Sequence, residues 1–129
     1  MSPVRMSEPD FERAVEDALD LIPADLLDAM DNVVVLVQDE PGPEHLTEED
    51  HDEQGRPALL GLYLGVPLTE RDGGWSGMLP DRILIFKGPL ERCCRDREEL
   101  VEEISVTVIH EVAHHFGIDD ERLHELGWG

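Results

Sequence analysis

The stretch Asp96–Asp120, DREELVEEISVTVIHEVAHHFGIDD, reads as one long helix closed by a glycine. Leu100, Val101, Ile104, Val108, Val112 and Ala113 recur at spacings that place them on one side of a helix, so an apolar stripe is expected there. Asp96 followed by Glu99 has the form of a capping box, with carboxylates at the positive end of the helix dipole. The spacing predicts a helix from about Asp96 to Phe116. Gly117 follows as the residue that turns the chain out in a left-handed conformation. A helix of this length must bury its stripe, so the other elements have to be found as its packing partners.

Upstream, Phe11, Ala14, Val15, Ala18, Leu19 and Ile22 show the same periodicity, predicting an amphipathic helix over Glu8–Leu21 with Ser7 as N-cap. ADLLDAMDN (24–32) predicts a further short helical turn closed by Asp31-Asn32. Val33–Gln38, VVVLVQ, is β-branched and apolar on both faces, which predicts a strand inside a sheet. Two more strands are expected at Ala58–Gly65 and Arg82–Gly88, each ending before a proline. Between them, TERDGGWSGMLPD predicts a wide hairpin loop, with Trp75 at its edge closing off the core or touching a ligand. Residues 39–57 form a polar, acidic stretch broken by proline and glycine, read as a long flexible loop. His45 and His51 within it read as exposed histidines before they read as ligands. A short terminal helix is expected from Asp119 or Asp120 through Leu126. The order of elements predicts a single domain over 1–129 of the α+β class, with a small mixed sheet of about three to four strands packed on helices.

Composition narrows what such a domain does. Hydrophobic residues make up 40% of the chain, enough for one ordinary core, and aromatics only 5%, so that core is aliphatic. Ten basic side chains face 31 acidic ones, for a formal charge of −21. That field repels nucleic acid and anionic membranes while attracting cations and basic partners. No apolar stretch reaches membrane-spanning length, and the N-terminal residues show no apolar signal region. The two cysteines, Cys93 and Cys94, are adjacent and poorly placed for an ordinary disulfide, which fits a reducing compartment. A cytoplasmic protein is the expectation.

The long helix carries the chemistry. Residues four apart lie one turn above each other, so His110 and His114 can aim two imidazole nitrogens at one ion. Glu111 stands beside the first of them, placed to reach a water on that ion without binding the ion itself. Zinc lowers the pKa of such a water towards about 7, and a neighbouring carboxylate can accept its proton. The motif extends as H-E-x-x-H-x-x-G-x-x-D, in which a turn at Gly117 brings Asp120 back as a third ligand. Asp120 is also a natural N-cap for the last helix, and Asp119 can exchange roles with it. His124, one turn after Asp120, is an alternative ligand or a support to one. His115 points off the His110/His114 face.

With these residues the sequence resembles the zincin metallopeptidases on their metzincin side, whose extended motif ends in His or Asp. It looks most like the minimal zincin-like family of small bacterial single-domain proteins. That resemblance implies one Zn²⁺ on His110, His114 and Asp120, with Glu111 as general base, and a peptide or protein substrate. It also implies an edge strand beside the active-site helix that pairs with an extended peptide; Ala58–Gly65 is the expected edge, with Arg82–Gly88 inside it. The chain departs from the metzincins in two respects. Its methionines, Met1, Met6, Met30 and Met78, all precede the motif, so the methionine turn below the metal is missing. The nine residues after Asp120 are too few for a lower wall to the cleft. That wall is expected from a dimer mate, a partner protein or the 39–57 loop. Two readings follow: a zinc-dependent peptidase of restricted activity, or a zincin-fold binding or regulatory domain whose metal is structural or vestigial.

Overall fold

The structure is a computed structural model that describes residues 4–30, 33–46, 51, 53, 55–65 and 81–125. Five helices and three strands follow one another among them. The helices are α1 (Glu8–Leu19), α2 (Ala24–Ala29), α3 (Lys87–Cys93), α4 (Arg97–His115) and α5 (Asp120–Glu125). The strands are β1 (Val33–Gln38), β2 (Gly61–Leu64) and β3 (Asp81–Phe86). The fold is a small α+β arrangement around a mixed sheet. None of the described helices is long and apolar enough to cross a membrane. Asp31-Asn32 and the 66–80 stretch with Trp75 lie outside the described residues.

The long helix forms where the sequence predicts it. Asp96 is its N-cap, its carboxylate accepting the Glu99 N–H at 2.8 Å, and Leu100, Ile104, Val108, Val112 and Ala113 are buried. Val101 is only partly buried, packed at the margin of the core. At the far end the Ile118 N–H reaches the Ala113 carbonyl at 2.8 Å and the Gly117 N–H reaches that of His114 at 3.1 Å. Together these bonds make a Schellman ending, for which Gly117 adopts a φ of +77°. A Cβ at Gly117 would meet nothing within 4 Å, so the cost of adding one is purely conformational. Gly117→Ala should therefore destabilise the chain by about 1–2 kcal/mol, read as a lower Tm in thermal unfolding. An unchanged Tm would refute the assignment.

Helix α1 packs along α4, Ser7 caps it through the Asp10 N–H at 3.3 Å, and Phe11, Ala14, Val15 and Ala18 are buried. These residues and the α4 stripe meet one face of the sheet, where Ile83 and Ile85 are fully buried. Strand order is β1-β3-β2, with β1 parallel and β2 antiparallel to β3. This corrects the expectation that Val33–Gln38 lies inside the sheet. It is an edge strand whose residues alternate between half-buried and exposed, with Val34 and Leu36 each 39% exposed. Three strands leave one interior place, and β3 takes it because Ile83 to Phe86 are buried on both faces. On the second face the His45 ring stands 6.5 Å from the Phe86 ring, so part of the acidic loop, including a 3-10 turn at Pro43–His45, packs back on the sheet.

The third predicted strand also ends early. Lys87 and Gly88, expected to extend it, instead begin α3. Pro89 falls in the first turn of that helix, where a missing N–H costs nothing, so the residue that marks the end of the strand also suits a helix start. Cys93 and Cys94 end α3 with their sulfurs 3.4 Å apart and unlinked. Burial raises both thiols above their ordinary range.

Candidate metal centre

Helix α4 sets His110 and His114 on successive turns with ring centroids 6.0 Å apart and ring planes inclined by 18°. A zinc–nitrogen bond of about 2.0–2.1 Å places a ring centroid roughly 3 Å from the ion, so two rings sharing one tetrahedral ion stand roughly 5 Å apart. The pair stands about 1 Å wider than that on the same side of the helix, and neutral imidazoles suit zinc. His110 is half-buried and His114 exposed, so a ligand has access from one side.

Glu111 is tied to the sheet. Its carboxylate accepts a hydrogen bond from the Tyr63 backbone N–H on β2. The pairing of the strands explains why that N–H is available. The Phe86 N–H donates to the Leu60 carbonyl at 3.0 Å. With the β2–β3 register, this turns the backbone groups of Leu62 and Leu64 towards β3 and those of Gly61 and Tyr63 away from it. Burial raises the Glu111 carboxyl above the usual range, against the opposing pull of the Tyr63 N–H and the His114 and His110 imidazoles.

The same edge meets α4 at every turn. A Cβ at Gly61 would lie 2.6 Å from Thr107 Cγ2, so only a glycine lets the helix come this close. Tyr63 then meets Glu111 through its backbone and stacks its ring on His115 at 3.9 Å between centroids. A Cβ on Gly65 would touch His115 Cε1 at 3.4 Å. The Tyr63 hydroxyl donates to Asp81 Oδ2 at 2.6 Å, and His115 Nε2 lies 3.9 Å from that same oxygen. Thr107, Glu111 and His115 thus follow β2 in steps of one turn against two strand residues. Two of these partners, Tyr63 and Asp81, carry no sequence signal that would have named them. A glycine at the head of GLYL was the available sign of a close backbone approach.

The two adjacent aspartates have separate places. Asp119 caps α5, its Oδ1 accepting the Arg122 N–H at 2.8 Å while its carbonyl accepts that of Leu123 at 2.9 Å. Asp120 is the first residue of α5, and its side chain lies outside the described residues. His124 is exposed on α5, and His51 is exposed at an isolated bridge to Pro57. Among the described residues no three His, Cys, Asp or Glu side chains gather closely enough to hold an ion. The structure thus brings together His110, Glu111 and His114 with the β2 edge, and adds neither Asp119 nor His124 to them.

A mixed sheet whose edge strand runs beside a helix bearing H-E-x-x-H is the arrangement the zincins imply. A sequence profile of the zincin-like metallopeptidase family matches residues 30–128, and the chain belongs to that family. Among solved structures, a conserved hypothetical protein from Thermus thermophilus shares this fold, with a TM-score of 0.59 at 23% identity. The match covers 86% of this chain and 94% of that one. No curated protein matches the sequence.

Proposed function

We propose that the chain is a zinc-dependent metallopeptidase in which His110, His114 and Asp120 hold one Zn²⁺ and Glu111 is the general base. The observation that carries this reading is the position of Glu111. It lies to one side of the two imidazoles, held by a backbone N–H of the edge strand. A structural zinc site is usually closed by four protein ligands and needs no carboxylate held to one side of it. Family membership supports the reaction class.

When bound, the ion supplies Lewis acidity towards a water and the carbonyl of the scissile bond. Glu111 takes the proton of the attacking water and returns it to the departing amine. Tyr63 orients that carboxylate through its N–H, and its ring and hydroxyl tie β2 to His115 and Asp81. An extended peptide or protein substrate lies beside β2 and the two imidazoles, and a dimer mate or partner protein completes the cleft. The capping role of Asp119 leaves Asp120 as the aspartate for the ion.

The test is zinc analysis of protein purified without added metal, together with a broad peptide-cleavage screen. One tightly held zinc per chain with cleavage is the expected result. Zinc without cleavage of any peptide would favour a zincin-fold binding domain instead, and no zinc at all would refute the site. Two variants separate the aspartates. Asp120→Ala should weaken zinc binding with little change in stability of the metal-free chain. Asp119→Ala should lower Tm through loss of a cap worth about 1 kcal/mol, while retaining zinc. Equal effects on zinc affinity would overturn the choice of Asp120.

A further inference from the structure

The two cysteines of the sequence stand side by side where α3 ends, and the backbone changes conformation between them. Adjacent side chains on a regular backbone point apart. Here Cys93 is the last residue of the helix and Cys94 its extended C-cap, with φ −118° and ψ 151°. That step turns both thiols to one side, and their sulfurs meet at 3.4 Å. The Cys93 thiol donates to the Leu90 carbonyl at 3.3 Å, so the proton between the two sulfurs is the one on Cys94. Cys93 is exposed, while Cys94 is 2% exposed and packed in the core.

We infer that Cys93 and Cys94 form a peroxide-responsive modification site, in which the exposed thiol is oxidised and its buried neighbour closes a vicinal disulfide. The Cys93 thiol loses its proton, and the thiolate sulfur attacks one oxygen of a hydroperoxide. The O–O bond breaks, and the leaving hydroxide or alkoxide takes up that proton as water or alcohol. Cys93 then bears a sulfenic acid. The Cys94 sulfur attacks the Cys93 sulfur, the S–O bond breaks, and the departing hydroxide leaves with the Cys94 proton as water. Each sulfur gives up one electron, and the peroxide gains both.

The roles follow from the two environments. Cys93 faces solvent and receives the hydrogen bond that supports its thiolate, whereas Cys94 gives that bond and is walled off from an oxidant. Burial, with the carboxylates of Glu103 and Glu99 on α4, holds both thiols above their ordinary range. The first step is therefore slow, and low peroxide levels leave the pair reduced. The second joins atoms already in contact, so proximity makes it fast and the sulfenic acid does not accumulate. An ion bridging the sulfurs is disfavoured, since no third His, Cys, Asp or Glu ligand stands with them among the described residues. The disulfide must bring the sulfurs to about 2.05 Å across Cα atoms only about 3.8 Å apart, below the usual span of such a bond. Strain of that kind makes it readily reducible, as suits a transient rather than a structural disulfide.

The test is to treat the full, reduced chain with excess hydrogen peroxide, then count free thiols after denaturation and weigh the peptide that carries both cysteines. Loss of both thiols, with a peptide lighter by two hydrogens and restored by dithiothreitol, is expected. Dimedone, which captures sulfenic acids, should label Cys94→Ala but not the parent, because the variant lacks the closing thiol. Cys93→Ser should leave the buried Cys94 as an unreacted thiol. Two thiols that survive the excess, a Cys93 that gains oxygen beside a free Cys94, or a disulfide-linked dimer would each overturn the site. Equal dimedone labelling of parent and variant would do the same. None of these readouts passes through the metal centre, so failure of the peptidase reading leaves them untouched.

Discussion

Glu111→Gln should lower peptide hydrolysis by about 10²–10⁴-fold while leaving zinc content and thermal stability close to those of the parent. Glutamine keeps the size of the side chain and a carbonyl oxygen that can accept the Tyr63 N–H, so the link between α4 and β2 survives. What it loses is the ability to take a proton. The loss belongs in kcat with KM little changed, since nothing that grips the ground-state peptide is removed. Parental rates of cleavage in this variant would show that Glu111 is not the base. Glu111→Ala is a poorer test, because it also breaks the contact with the strand and mixes chemistry with structure.

Gly61→Ala is expected to produce a large loss of stability from a single methyl group. The new Cβ would lie 2.6 Å from Thr107 Cγ2 and 3.1 Å from the Leu84 carbonyl oxygen. Thr107 cannot swing aside easily, because it is buried, stiff at its branched carbon, and bonded through its hydroxyl to the Glu103 carbonyl at 2.8 Å. Overpacking of this kind typically costs about 1–3 kcal/mol. The cost falls on the helix–strand spacing that sets Glu111, so activity should drop along with Tm. The diagnostic is the double variant. Thr107→Ser removes Cγ2 but keeps the hydroxyl bond, and should recover a large part of the lost stability in Gly61→Ala. Strictly additive effects in that cycle would mean that the contact does not hold the two elements at their distance.

The parts legible in the sequence are those whose cause is local. Helix α4 is found to within a residue at either end, because its stripe, its cap at Asp96 and its stop at Gly117 all lie in adjacent residues. His110, Glu111 and His114 follow from that helix by periodicity alone. Less was visible where position depends on partners distant in the chain. Val33–Gln38 is apolar enough for a sheet interior, yet β3 pairs with both of the other strands and leaves β1 at the edge. Helix α3 was hidden because Gly88-Pro89 reads as a break when the preceding strand is still being extended. Asp119 and Asp120 satisfy the same capping preference, and only the bond to the Arg122 N–H separates them. Tyr63 enters the site because of helix–strand register, which no local pattern encodes.

That register also governs where the chain can change in length. Thr107, Glu111 and His115 engage Gly61, Tyr63 and Gly65 tooth by tooth. Deleting or inserting one residue between Thr107 and His115 would turn the rest of the helix by about 100° and disengage every later tooth. The same is true of one residue added between Gly61 and Gly65, which would swap the inward and outward faces of the strand. Length variation is therefore confined to the segments outside these two, and the spacings of four along the helix and two along the strand form a joint ruler by which distant members of the family can be aligned.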